Sequence, residues 1–179
     1  MDRLAMGNIR NIVSLENELE YEKATSLYLR LRVLIKEDAS YQAIRDHLRD
    51  LIRQYEKKNW NDDKAITDNQ IRESVLAESL VQAENEFSYK RKELIKNKLR
   101  ASGLNQNDLA KILDHRKGYM SELINGLRPF SKEDIVIISQ LFKIKLEHLV
   151  PPFVKLERAQ HIRKTLRSMP NSRNRLTSY

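Results

Sequence analysis

Arg116, Lys117, Gly118, Tyr119, Glu122 and Asn125 interleave with Met120, Leu123 and Ile124, and the latter three share one face at helical spacing. The outer face then carries cations, a phenol, a carboxylate and an amide. These are the groups that meet base edges and phosphates in the major groove of a duplex. Glu122 can accept a hydrogen bond from a cytosine amino group but would repel a phosphate. Tyr119 suits either a sugar or thymine-methyl contact or a plain covering role on its helix. Other chemistry has little to stand on. His47, His115, His148 and His161 are scattered without metal-ligand spacing, so no metal or cofactor is expected. No glycine-rich phosphate loop, nucleophile elbow or HExxH run occurs. The acid pairs Glu16/Glu20 and Glu18/Glu22 lie one helical turn apart and read as solvated faces. An enzyme, a nuclease included, finds no acid/His cluster to use, and the chain reads as a non-enzyme.

The elements that must position these groups run from Gly103 to Ser131. A first short helix is expected with Leu109, Ala110 and Leu113 on its apolar face, Asn105 as N-cap and Asp108 in its first turn. Asp114-His115-Arg116 has room only for a sharp corner, and Ala110 is the small residue where two close helices cross. The second helix stops at Asn125-Gly126. Ser131 then reads as the N-cap of a further helix, with Glu133 and Asp134 in its first turn and Ile135, Ile138, Leu141 and Phe142 closing a small core. Pro151-Pro152 ends the unit.

Leu104-Asn105-Gln106-x-Asp108-Leu109-Ala110, followed by Met120-Ser121-x-Leu123-x-Asn125-Gly126, resembles the helix-turn-helix of lambdoid phage repressors and their XRE relatives. LFKIKLEHLV is similar to the family's closing helix. The resemblance implies that Gln106 holds a DNA phosphate at the start of the first helix. It further implies that Lys117, Gly118 and Glu122 stand at base-contacting positions, Asn125 at a phosphate contact and Arg128 at a groove or phosphate contact. Asp114 and His115 depart from the usual glycine and apolar residue of the turn, and Gly118 has no side chain with which to read a base.

Composition agrees with a helical, nucleic-acid-facing protein. The chain has 179 residues, 40% of them hydrophobic, with four glycines, four prolines and no cysteine. Such low glycine and proline argue against a loop-rich all-β design, and helical spacing nearly throughout predicts an all-α fold. Without cysteine there is no disulfide frame, which suits a cytoplasmic chain. The start MDRLAMGNIRN lacks the apolar core of a signal peptide, and the longest aliphatic run, Ile135–Ile138, is too short to span a bilayer. We therefore expect a soluble protein at the nucleoid. Net charge is +8 and unevenly spread: residues 1–65 balance, 66–86 carry −4, 87–153 carry +6 and 154–179 carry +6. Positive charge gathered in this way is an electrostatic footprint for nucleic acid.

Ahead of the basic region, Leu19, Ala24, Leu27, Tyr28, Leu31, Leu34 and Ile35 form one helical stripe. Ile44, Leu48, Leu51, Ile52 and Tyr55 form another, with Ser40 as the cap between them. The two make an antiparallel hairpin over 1–65, which must bury its apolar side against the rest of the chain, a second copy or another protein. ELEYEKATSLYLRLRVLI with LRDLIRQYEKKNW, placed before GYMSELINGLRPFSKEDIVIISQLF, resembles the HigA-type antitoxins of type II toxin–antitoxin systems, although the connection between the two parts is longer here. A short linker is expected at 61–64, then a T-x-x-Q capping box at Thr67–Gln70 and one helix over 68–101. Leu76, Leu80, Ala83 and Phe87 on that helix suit either a partner helix or packing on the chain's own domain. The organisation expected is thus a hairpin over 1–65, an acidic connecting helix over 66–86, a five-helix lambda-repressor-like domain over 87–153 and a basic tail over 154–179. In the tail, Val154, Leu156, Ile162 and Leu166 would face inward. The run after Pro170 would be disordered, either following the phosphate backbone or simply solvated.

The combined expectation is a homodimer on an inverted repeat of operator DNA, its two reading helices about 34 Å apart. Gln106 and Asn125 would set the register, and Arg116, Lys117, Tyr119 and Glu122 would supply base discrimination. The antitoxin resemblance implies a partner, a small basic endoribonuclease toxin, for which the acidic 66–86 segment is a plausible contact. The alternative is a stand-alone regulator.

Overall fold

Asn17 opens the first long helix by accepting the Glu20 amide on its side chain at 2.9 Å, and α1 runs Glu18–Leu34. The computed structural model describes residues 3–4, 6–36, 38–61, 66–154 and 156–168, and among these it is wholly helical. Asp38, rather than Ser40, organises the next corner: its carboxylate accepts the Ser40 amide at 2.8 Å, which also holds its pKa below the ordinary value. A 3-10 turn over Ala39–Tyr41 leads into α2, Gln42–Asn59. Ala24, Leu31 and Leu34 of α1 meet Ile44, Leu48, Leu51 and Tyr55 of α2, as their spacing requires. Periodicity gave no sign of the lid on this hairpin. Leu4, Met6, Ile9, Ile12 and Leu15 are all buried in it, and the His47 ring bonds the Ile12 carbonyl at 2.9 Å.

The long helix is continuous: α3 runs Asp68–Ala101, about 50 Å at 1.5 Å per residue. Thr67 caps it by accepting the Gln70 amide, but the Gln70 side chain donates instead to the Asn59 carbonyl at 2.8 Å. The expected capping box is therefore only half made, and its second half ties α3 to the end of α2. The hairpin packs along α3, with the buried Ala77 and Val81 facing it and Ser26 bonded to Asn85 at 2.8 Å. That line lies one residue on from the expected stripe, leaving Leu76 48% exposed and Leu80, Ala83 and Phe87 partly buried.

The second core gathers the end of α3 with three short helices: α4, Gln106–Ile112; α5, Lys117–Ile124; and α6, Lys132–Phe142. The unit closes on a single 3-10 turn, Leu146–His148, with Ile144 and Leu149 buried beside it. Arg91 fastens α3 to this closure. Buried between the rings of Phe87 and Phe130, it donates to the Leu149 carbonyl at 3.3 Å, and burial, with Arg30 adding to it, lowers its pKa to about 10. Leu141 is 46% exposed and not in the core, because Ile138 and Phe142 already fill α6's inner face. α7, Leu156–Ser168, follows the two prolines; Ile162 and Leu166 are partly buried, but Val154 is exposed because it precedes the helix on extended backbone. The Leu156 side chain, the tail beyond Ser168 and most of the 61–64 linker lie outside the described residues. No described helix is long and apolar enough to cross a membrane.

Candidate nucleic-acid interface

Two complete capping boxes fix the helix pair and its successor. Asn105 and Asp108 exchange side-chain and backbone hydrogen bonds at the start of α4, and Ser131 and Asp134 do the same at the start of α6. Each satisfies two amides that a helix start leaves orphaned. Leu109, Ala110 and Leu113 of α4 and Met120, Leu123 and Ile124 of α5 are buried together. The corner between them needs a left-handed residue, and Asp114 adopts φ 53 there, a conformation that Asp tolerates better than most side chains. His115 occupies the family's apolar turn position but is not idle. Its Nε2 lies 3.0 Å from Oδ1 of the buried Asp134, and its ring meets that of Tyr119 edge-on at 5.0 Å. One imidazole thus joins the turn, α5 and the α6 cap.

The expected site residues divide into two sets. Arg116, as N-cap of α5, and Lys117 and Gly118 in its first turn are exposed, and neither cation has an ion-pair partner among the described residues. A Cβ at Gly118 would meet nothing within 4 Å, so its openness is real space rather than a packing need. Gln106, at the first position of α4, is half-buried. Tyr119 is 40% exposed between the His115 ring and the Arg128 guanidinium, the latter 5.5 Å from its centroid.

The second set is engaged within the protein. Glu122 forms an ion pair with Arg128 through one carboxylate oxygen, while the other accepts from the Tyr41 hydroxyl at 3.3 Å. Asn125 accepts from Lys92 Nζ at 2.7 Å and donates to the Ser121 carbonyl at 2.9 Å. Gly126, at φ +70, turns the chain, and Leu127 leaves the second core to bury itself in that of the hairpin, 8% exposed. Arg30 of α1 donates to the Gly126 carbonyl at 2.8 Å and also bonds Asn85. Tyr41, Arg30, Lys92 and Leu127 escaped the sequence reading. The one available signal was an isolated leucine between Gly126 and Arg128, in a loop that needs no apolar residue of its own.

Compared with known proteins, residues 95–149 match the family model described as Helix-turn-helix. No curated protein and no solved structure matches the chain. The matched stretch begins in the last two turns of α3 and ends at the buried Leu149, so it coincides with the second core described above. Over these residues the chain is similar to helix-turn-helix proteins.

Proposed function

We propose that the chain is a dimeric, operator-binding transcriptional repressor of the cytoplasm, and within that class the antitoxin of a toxin–antitoxin pair. The observation that carries the DNA reading is the exposed N-terminal end of α5, where Arg116 and Lys117 stand without carboxylate partners among the described residues. Lys117 and Arg116 read bases, Tyr119 packs beside them, and Gln106 holds a phosphate, while Asn125 reaches one only by giving up its bonds to Lys92 and Ser121. Arg128 reaches the groove or backbone from behind Tyr119. Glu122, already paired, contributes less to base reading than its position suggests.

The antitoxin reading is supported by the resemblance of both halves of the chain to HigA-type proteins and by the acidic 66–86 segment, net −4, at the start of α3. Glu78 of that segment lies close enough to Glu22 to raise its pKa further. A cleft of about 640 Å³ opens beside Tyr21, where Glu22 and Glu56 are balanced by Arg53 and Lys57. A small basic toxin complements the charge of residues 66–86.

Expression of the native operon with a tag on this chain tests the assignment. A small basic protein should co-purify, arrest growth when expressed alone and lose that effect when this chain is supplied. Isolation of the chain without such a partner, from cells whose neighbouring frame is harmless, would leave the stand-alone regulator as the reading.

A further inference from the structure

The hairpin and the reading helix share more than a covering contact. Tyr41, at the corner between α1 and α2, is 7% exposed, and its hydroxyl has turned to Glu122 of α5, 81 residues away in the chain. From Glu122 the contacts continue without a gap. Its other oxygen pairs with Arg128, Arg128 lies over Tyr119, Tyr119 meets His115, and His115 holds Asp134 at the start of α6. The loop behind this chain of groups is gripped as well. Leu127 sits in the hairpin's apolar core, and Arg30 holds the Gly126 carbonyl. The grip is as close as the backbone permits, because a Cβ on Gly126 would come within 2.9 Å of the Arg30 guanidinium.

We infer that the N-terminal hairpin is part of the DNA-reading apparatus, with Tyr41 and Arg30 acting as positioning residues that set Glu122, Arg128 and the Gly126–Leu127 loop. The inference rests on the DNA reading proposed above. Glu122, with a side chain 15% exposed, is a hazard beside a duplex: left free, its charge would repel phosphates approaching α5. Two partners from different layers hold it in place. The Tyr41 hydroxyl fixes one oxygen and the Arg128 guanidinium the other, so Arg128 is also presented in one orientation. Among the described residues, the hairpin supplies the first partner. Sequence preference therefore depends on a residue outside the helix-turn-helix segment.

The test selects a preferred sequence from a pool of random duplexes with the full-length wild-type chain. Affinity for that sequence and for the unselected pool is then compared across Tyr41→Phe, Glu122→Gln and the double variant. Tyr41→Phe removes one oxygen and keeps the ring. It should lower the ratio of selected to random binding roughly tenfold, the scale of one hydrogen bond to a charged group. Affinity for the random pool should change little. In the Glu122→Gln background the same substitution should have a much smaller effect, because its target is no longer a carboxylate. Arg30→Met, which keeps an apolar stem while losing the bond to Gly126, should likewise reduce the ratio. Equal ratios in wild type and all three single variants would overturn the inference and leave DNA binding intact. So would a Tyr41→Phe effect of the same size in both backgrounds, which marks a general loss of packing. If the wild-type chain shows no salt-sensitive retention of any duplex, the DNA reading falls and takes this inference with it.

Discussion

Lys117 and Gln106 illustrate how differently two residues of one surface should behave. Lys117 is exposed at the first position of α5, with no ion-pair partner among the described residues. Lys117→Ala should weaken binding to the selected sequence by about 1–3 kcal/mol and random DNA by less. Equal losses on both, with a shallower salt dependence, would make it a phosphate contact. Gln106→Ala should weaken both duplexes together and leave their ratio unchanged. His115 tests a different point, since it faces inward. His115→Ala removes the bond to Asp134 and the ring contact with Tyr119 and should cost about 1 kcal/mol of unfolding free energy in denaturant titrations. A neutral result would mean that Asp134 is satisfied by its cap alone.

At the scale of elements, the sequence was most informative where causes are local. Asn105 with Asp108, and Ser131 with Asp134, announce helix starts through atoms three residues apart, and both boxes form in full. Ser131→Ala should therefore destabilise the fold by about 1 kcal/mol, measured by thermal or urea unfolding, and Ser131→Asp should recover most of that loss. The apolar faces of α4 and α5 were readable for the same reason, since 3.6-residue spacing is a property of one helix. The buried line of α3 was not. Whether 76/80/83/87 or 77/81 turns inward depends on where α1 lies, and nothing within α3 records that. The Leu4–Leu15 lid was hidden because it has almost no helix of its own and so no period to detect. Tyr41–Glu122 and Arg30–Gly126 span 81 and 96 residues, beyond any spacing rule. The helix starts and apolar faces of the helix-turn-helix were thus legible, while its junction with the hairpin was not.

At the scale of the whole molecule, two cores hang on one helix, and the hairpin's core includes a leucine from the other unit. The ionisation of the hairpin reports on its integrity. Burial first, and neighbouring glutamates after it, push the Tyr21 and Tyr41 hydroxyls up to about 12, and Tyr55 is raised for the same reasons. In the unfolded chain these phenols ionise near pH 10. Between about pH 10 and 12 the folded state retains protons that the unfolded state releases. Stability contributed by these groups is therefore fully present below pH 10 and is lost as pH rises through that window. Urea midpoints measured from pH 9 to 12 should fall, and Tyr41→Phe should reduce the slope. Glu22 belongs to the same surface. Its raised pKa, caused by burial and then by Glu78 and Glu18, means that its charge opposes folding once pH exceeds the ordinary glutamate value. Glu22→Gln should raise the urea midpoint slightly at pH 7 and lose that advantage near pH 3, where the wild-type carboxyl is itself neutral.

Leu127 has a practical corollary for anyone trimming this protein. A fragment cut to residues 95–149 would retain α4, α5 and α6, yet it would turn that leucine out into water and strip the guanidinium from the carbonyl of Gly126. The excised piece would be stickier and its Gly126–Leu127 loop looser, so binding measured on it would not stand for the intact chain.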